Sequence, residues 1–256
     1  MSRQDLLEGL RANRLYVSLI FLWVAAMISL PIFRWVFGDA VLPIGVAVTV
    51  VIQSAAVLSV LWASWGAFNM LRAVVIVAAL GWFVEFIGHT TGIPFGSYDY
   101  TALLQPQLGG VPLVIPLAWM MMMPPAWAAA QVVVGLRNRW LFVGFSALAF
   151  TAWDLFLDPQ MVKWGFWVWE QPSGYFGIPW VNFLGWLLAS SVMTAVVRPM
   201  AVPVYPLLAV YVITWLLESI GLLVFWGLPG PGIVGFGAMG VVVLLCYRQL
   251  SRRARS

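Results

Sequence analysis

The chain has 256 residues, of which 63% are hydrophobic and 9% charged, with 13 Lys+Arg against 9 Asp+Glu. Ordinary soluble domains are about 45–50% apolar and about 25% charged, so the composition excludes a soluble enzyme and a disordered chain. The net charge of +4 is carried by loops and ends, which argues against nucleic-acid binding, while one Cys and one His leave no internal disulfide and no multi-His metal site.

A bilayer core about 30 Å thick needs about 20 apolar helical residues. Eight stretches meet this in chain order, at roughly 15–34, 41–62, 70–90, 112–136, 139–158, 181–198, 204–226 and 230–247. The first is too long and too apolar for a cleaved leader, and no small-residue cleavage site follows it. The last is Gly-rich. The pattern predicts an all-α integral membrane protein, a bundle of about eight transmembrane helices. It reads as a single polytopic membrane domain over 1–256, with a short polar segment at 1–14 and a basic tail at 248–256.

Charge sets the expected orientation. With both termini cytoplasmic, the inner side carries Arg3, Arg11, Arg14, Arg72, Arg137, Arg139, Arg198, Arg248, Arg252, Arg253 and Arg255. The outer side carries only Arg34 and Lys163, a strong positive-inside bias. The protein is therefore expected in the cytoplasmic membrane. Its two long loops, about 91–111 and 159–180, fall on the outer side. Both are rich in Gly, Pro and aromatic residues, which suits tight turns and caps at a membrane interface.

Four acids fall inside spans: Glu85, Asp154, Asp158 and Glu218, with His89 one turn beyond Glu85. Ionisable groups at membrane depth are functional candidates by default. At 1.5 Å rise per residue, Glu85, Asp154 and Glu218 each lie about 20–22 Å in from the cytoplasmic end of their spans. Three helices are thus expected to bring carboxyls to one level. Glu85 and His89 share a helix face at i, i+4, and so do Asp154 and Asp158. Two carboxylates on one apolar face do not both ionise easily, so the spacing predicts that one acid holds a proton and can donate it.

The sequence also echoes itself. WFVEFIG (82–88) parallels WLLESIG (215–221), and AWDLFLD (152–158) is a looser third copy. GVPLVIPLAW (110–119) and GIPWVNFLGW (177–186) share G-[VI]-P and a Trp seven residues after the Pro. These suggest repeated helix–loop–helix units, which commonly place a site at their shared interface.

EFIGHTTGIPFGSYDYT, GGVPLVIPLAWMMMMPPAW and DLFLDPQMVKWGFWVWEQPSGYFGIPWVNFLGW resemble the membrane-embedded carotenoid 1′,2′-hydratases, a family that includes γ-carotene and bisanhydrobacterioruberin hydratases. The resemblance is dense over about 80–190 and rests elsewhere on span pattern. It implies addition of water to the terminal double bond of an acyclic carotenoid ψ end group, giving a tertiary 1′-hydroxyl with no cofactor. It also implies a long polyene substrate, a lipid setting and association with other carotenoid pathway enzymes.

Alkene protonation suits this residue set. A neutral carboxyl delivers the proton, a second carboxylate orients water, and aromatic faces steady the cation. The candidate catalytic residues are Asp154, Asp158, Glu85, Glu218 and His89. The candidate substrate contacts are Tyr98, Tyr100, Trp119, Trp153, Trp167, Trp169, Tyr175, Asn182 and Trp186. Met120 to Met123, followed by Pro124 and Pro125, could line a cleft between helices.

Each candidate has a structural alternative. The aspartates could pair with Arg34 or Lys163, or end a helix at Asp158-Pro159. His89 fits an interfacial histidine, and the Trp-rich loop fits an aromatic belt. Gly92, Gly96, Gly110, Gly174 and Gly177 read as turn formers, Cys246 as inert, and the basic tail as a contact with anionic lipid. The competing functions are a polyene cyclase or isomerase and a small proton-coupled transporter. The latter is disfavoured because the inner halves of the spans are almost uniformly apolar.

Overall fold

The computed structural model describes residues 3–255, with side chains from residue 13 onward, so the side chains of Arg3 and Arg11 lie outside the described residues. Seven helices dominate: α1 (Arg3–Phe37), α2 (Leu42–Thr91), α3 (Val114–Val133), α4 (Arg139–Lys163), α5 (Trp180–Val197), α6 (Val204–Ile220) and α7 (Pro229–Arg253). A π-helical turn, Gly221–Phe225, prolongs α6. Among the described residues, six segments are long and apolar enough to cross a membrane: Asn13–Phe37, Asp39–Thr91, Arg139–Lys163, Trp180–Val197, Val204–Phe225 and Pro229–Arg253. The chain is an all-helical membrane protein in its spanning part.

The 50-residue α2 is two arms. Gly66 breaks it with φ +73°, in a region that L side chains rarely adopt, although the space around its Cα is open. The break falls between the expected spans 41–62 and 70–90. α3 lies within the expected 112–136, its hydropathy diluted by Pro124, Pro125 and Gln131.

Three boundaries differ from expectation. α1 is already helical at Arg3, within the segment expected to be merely polar, and α7 carries the helix through most of the basic tail. α4 does not stop at Asp158-Pro159 but runs another turn to Lys163. A proline inside a helix leaves the carbonyl four residues earlier without its N–H. Here that carbonyl is Leu155 O, and it accepts from the Tyr175 hydroxyl at 3.0 Å. The helix survives the proline because a loop tyrosine supplies the missing donor.

The long loops are not plain caps. Within the first, β2 (Gln107–Leu108) pairs with β3 (Val111–Pro112). More consequentially, β1 (Tyr98–Tyr100) from the first loop pairs antiparallel with β4 (Trp167–Trp169) from the second. The register sets Tyr98 opposite Trp169 and Tyr100 opposite Trp167. Strand side chains alternate in direction, so these four aromatics face inward while Asp99 and Val168 face out. The five glycines expected as turn formers all have positive φ.

α1 is the least embedded element. Only 11% of its apolar window is buried, against 56% for α2, on which it chiefly packs.

Candidate active site

The bundle seats the first loop through glycine. Phe95 wedges between α2 and α5, where a Cβ on Gly88 or Gly185 would come within 2.6 Å of its ring. That wedge anchors β1 and aims Tyr98 and Tyr100 at α2. Glu85 Oε2 accepts from the Tyr98 hydroxyl at 2.5 Å and the Tyr100 hydroxyl at 2.8 Å, and Oε1 accepts from Trp119 Nε1 at 3.0 Å. Burial first, and then the adjacent Glu85 carboxylate, holds both loop phenols well above the usual tyrosine range, so they remain donors.

The aspartates approach from α4. Asn182 Nδ2, on α5, donates to Asp154 Oδ2 at 3.0 Å and to Asp158 Oδ2 at 2.5 Å. Trp167 Nε1 donates to Asp158 Oδ1 at 2.7 Å. Asp154 is fully buried, and its Oδ1 has no hydrogen-bond partner among the described residues. Neither aspartate pairs with the cations considered from sequence. Arg34 binds Asp39 at 2.6 Å and Lys163 Nζ donates to Gly227 O at 3.0 Å.

Glu85, Asp158 and Asn182 face one small cavity of about 30 Å3, walled by Tyr98, Tyr100, Trp119, Trp167, Trp169 and Trp186. A water needs about 10–15 Å3 of such space and several polar partners, so the chamber suits one or two waters. Its floor is a stack: Trp119 and Trp186 lie 4.7 Å apart and 16° from parallel, with Phe150 beside both. These are the two tryptophans of the echoed G-[VI]-P segments.

Glu218 is not part of this group, which corrects the expectation of carboxyls from three helices at one site. It lines a separate cavity of about 360 Å3 between α1, α2, α4 and α6. With the Gln160 amide turned to satisfy both neighbours, its nitrogen donates to Glu218 Oε2 at 3.0 Å and its oxygen accepts from Trp226 Nε1 at 3.1 Å. Gln160 was not singled out by sequence, although Asp158-x-Gln160 beside a proline was a visible polar excess at membrane depth. Trp153 also faces this larger cavity rather than the small one.

Two further candidates stand apart. His89 Nδ1 is buried without a hydrogen-bond partner among the described residues, 3.4 Å from the exposed Asp99 Oδ1, and the ring lines neither cavity. The Tyr175 hydroxyl is committed to Leu155 O. Of Met120 to Met123, Met121 lines the larger cavity, while the other three are buried in packing. Among the described residues, no group of three or more His, Cys, Asp or Glu side chains could hold a metal ion.

The sequence model of the family described as "carotenoid biosynthesis protein" matches residues 45–241, which includes every residue of the small chamber. The chain belongs to the carotenoid biosynthesis protein family. A bisanhydrobacterioruberin hydratase of Haloarcula japonica is 34% identical over 123 residues, 47% of this chain and 42% of the relative. The chain thus spans less than half the length of that curated family relative. No solved structure matches this family member.

Proposed function

We propose that this protein is a carotenoid hydratase that adds water across the terminal double bond of an acyclic ψ end group, giving a tertiary 1′-hydroxyl. The observation that carries the reading is the meeting of Glu85 and Asp158, from two helices, around a water-sized chamber walled by aromatic rings. The family and the name of its relative supply the substrate class.

The chemistry needs an acid, a base and a water. The Asp154–Asp158 pair brackets a single amide nitrogen with no cation beside it, and one proton between the two relieves their repulsion. That proton forms the new C–H bond at C2′, and the alkene electron pair leaves a tertiary cation at C1′. Tyrosine and tryptophan faces attract the cation. Glu85 is surrounded by three donors, an environment that suits a carboxylate. It orients the water, whose oxygen bonds to C1′ and whose proton passes to the Asp154–Asp158 pair. The sum is one water added and the acid restored, without a cofactor. A chamber of this size favours capture by water over capture by a second double bond, as in a cyclase.

For topology we propose eight crossings, counting the two arms of α2 and the moderately apolar α3, as one polytopic domain in the cytoplasmic membrane. Arg72, Arg139 and Arg198 converge on one crevice at the bundle end opposite the long loops. Placing that end in the cytoplasm follows the positive-inside bias. The partners are the polyene, water and surrounding lipid, with contacts to neighbouring pathway enzymes.

Expression in a host that accumulates acyclic carotenoids tests the function. The pigment should gain the mass of one water per modified end, and in 18O-water the new hydroxyl should carry the label. An unchanged pigment profile, with the protein present in the membrane, overturns the reading.

A further inference from the structure

The small chamber has room for water but not for an alkene end group, so the proposed reaction lacks a seat for its larger reactant. The cavity lined by Glu218 has the properties of that seat. Its 360 Å3 falls in the range of small-molecule pockets, about 300–1,000 Å3. Its rim includes Ile28 and Ile32 of α1, Ile220 and Phe225, all half or more exposed. In a bilayer such a rim opens sideways to acyl chains, between the least embedded helix and the π turn. π turns in α-helices often mark functional sites.

The two cavities share one lining residue, Leu157. It stands on α4 one residue before Asp158 and four after Trp153, and it is only partly buried because a cavity lies on each side. We propose that the apolar cavity seats the end of a linear isoprenoid polyene entering from the lipid, and that Leu157 is the partition its terminus displaces to meet acid and water. The partition rests on the hydration reading above, whereas the seat can be tested without it.

The inner end of the seat is polar in a limited way. Gln53 Nε2 reaches Thr214 Oγ1 at 3.3 Å and Met122 Sδ at 3.4 Å, and the Gln160–Glu218 pair forms the opposite wall. Each of these groups has a partner, so they present an apolar ligand with satisfied polar atoms, and the one buried lining donor left open among the described residues is Trp153 Nε1. Glu218 here is a wall residue beside the chain, with its carboxylate group already engaged.

The test uses purified protein in detergent with lycopene as the probe, reading both retained pigment and hydrated product. Val50→Trp and Met27→Trp fill the cavity from α2 and α1 without touching the small chamber, and each should weaken lycopene retention about tenfold or more. Val192→Trp, at an exposed α5 position outside both cavities, should retain lycopene as the parent does. Leu157→Trp, which thickens the wall between the two cavities, should lose hydration whatever part of its lycopene retention the larger ring costs.

Parental retention by both filling variants overturns the seat. Parental hydration by Leu157→Trp overturns the partition. Retention that depends on Val50 in a protein that never hydrates lycopene leaves the seat standing and sinks the hydratase reading alone. If the filling variants do not fold, farnesyl benzophenone photolabelling of the unaltered protein decides the matter. Adducts on the buried lining residues Val50, Gln53 or Thr214 support the seat, and adducts confined to residues outside the cavity lining overturn it.

Discussion

The motifs WFVEFIG and WLLESIG look like copies, and for one residue they behave as copies. Trp82 Nε1 donates to Leu108 O at 3.0 Å and Trp215 Nε1 donates to Phe236 O at 2.9 Å, each indole tying its helix to the segment that follows. Each also stacks on a phenylalanine, Phe86 or Phe236. The glutamates three residues later diverge. Glu85 meets two loop phenols and an indole in a chamber for water, whereas Glu218 meets one glutamine at the wall of a cavity twelve times larger. What separates them is the loop. A long loop with a clasped strand follows the first copy, and only a π turn and a tight connection follow the second.

The largest effect should come from breaking the Glu85 side of this comparison. Glu85→Gln and Asp158→Asn should each lower the hydration rate about 10²–10⁴-fold, the usual worth of a positioned acid or base, as read by product formation at equal protein. Glu218→Gln keeps a hydrogen-bonding neutral group beside Gln160 and should cost less than either. A Glu218→Gln loss equal to that of Glu85→Gln would erase the distinction drawn here.

Structural substitutions come next. Gly185→Ala drives a methyl against Phe95 and Pro94 O and should destabilise the protein by about 1–3 kcal/mol, visible as a lower midpoint in detergent melts. Tyr175→Phe strands Leu155 O beside Pro159 and should cost about 1–3 kcal/mol of stability while sparing the chemistry more than Tyr98→Phe does. The smallest effect belongs to His89→Ala. His89 lines neither cavity, and its contact with the exposed Asp99 is 3.4 Å long, so both activity and melting should stay near the parent.

Much of this was legible in the sequence because the bilayer enforces simple rules. Runs of apolar residues marked the helices, and carboxyls inside those runs marked the candidate site. Glu85, Asp154 and Asp158 were legible because ionisable groups are costly at that depth. The pairing of Tyr98–Tyr100 with Trp167–Trp169 was not, since three-residue strands carry too short an alternation to detect and their partners lie 67 to 71 positions apart. The fate of Glu218 was hidden for a different reason. Depth along a helix follows from counting residues, but azimuth depends on how neighbours pack, and Gln160 claims that carboxyl through tertiary contact. Tyr175 was misplaced because its carbonyl partner exists only where Pro159 fails to end its helix.

The clasp between the two outer segments has a consequence for traffic. One ladder holds both covers over the water chamber, so neither can lift without stripping the other, and each brings aromatic side chains that donate to the acids below. On the proposed reading, a newly hydroxylated polyene has no aqueous exit past that clasp, and it retreats the way it came, tail first into the bilayer.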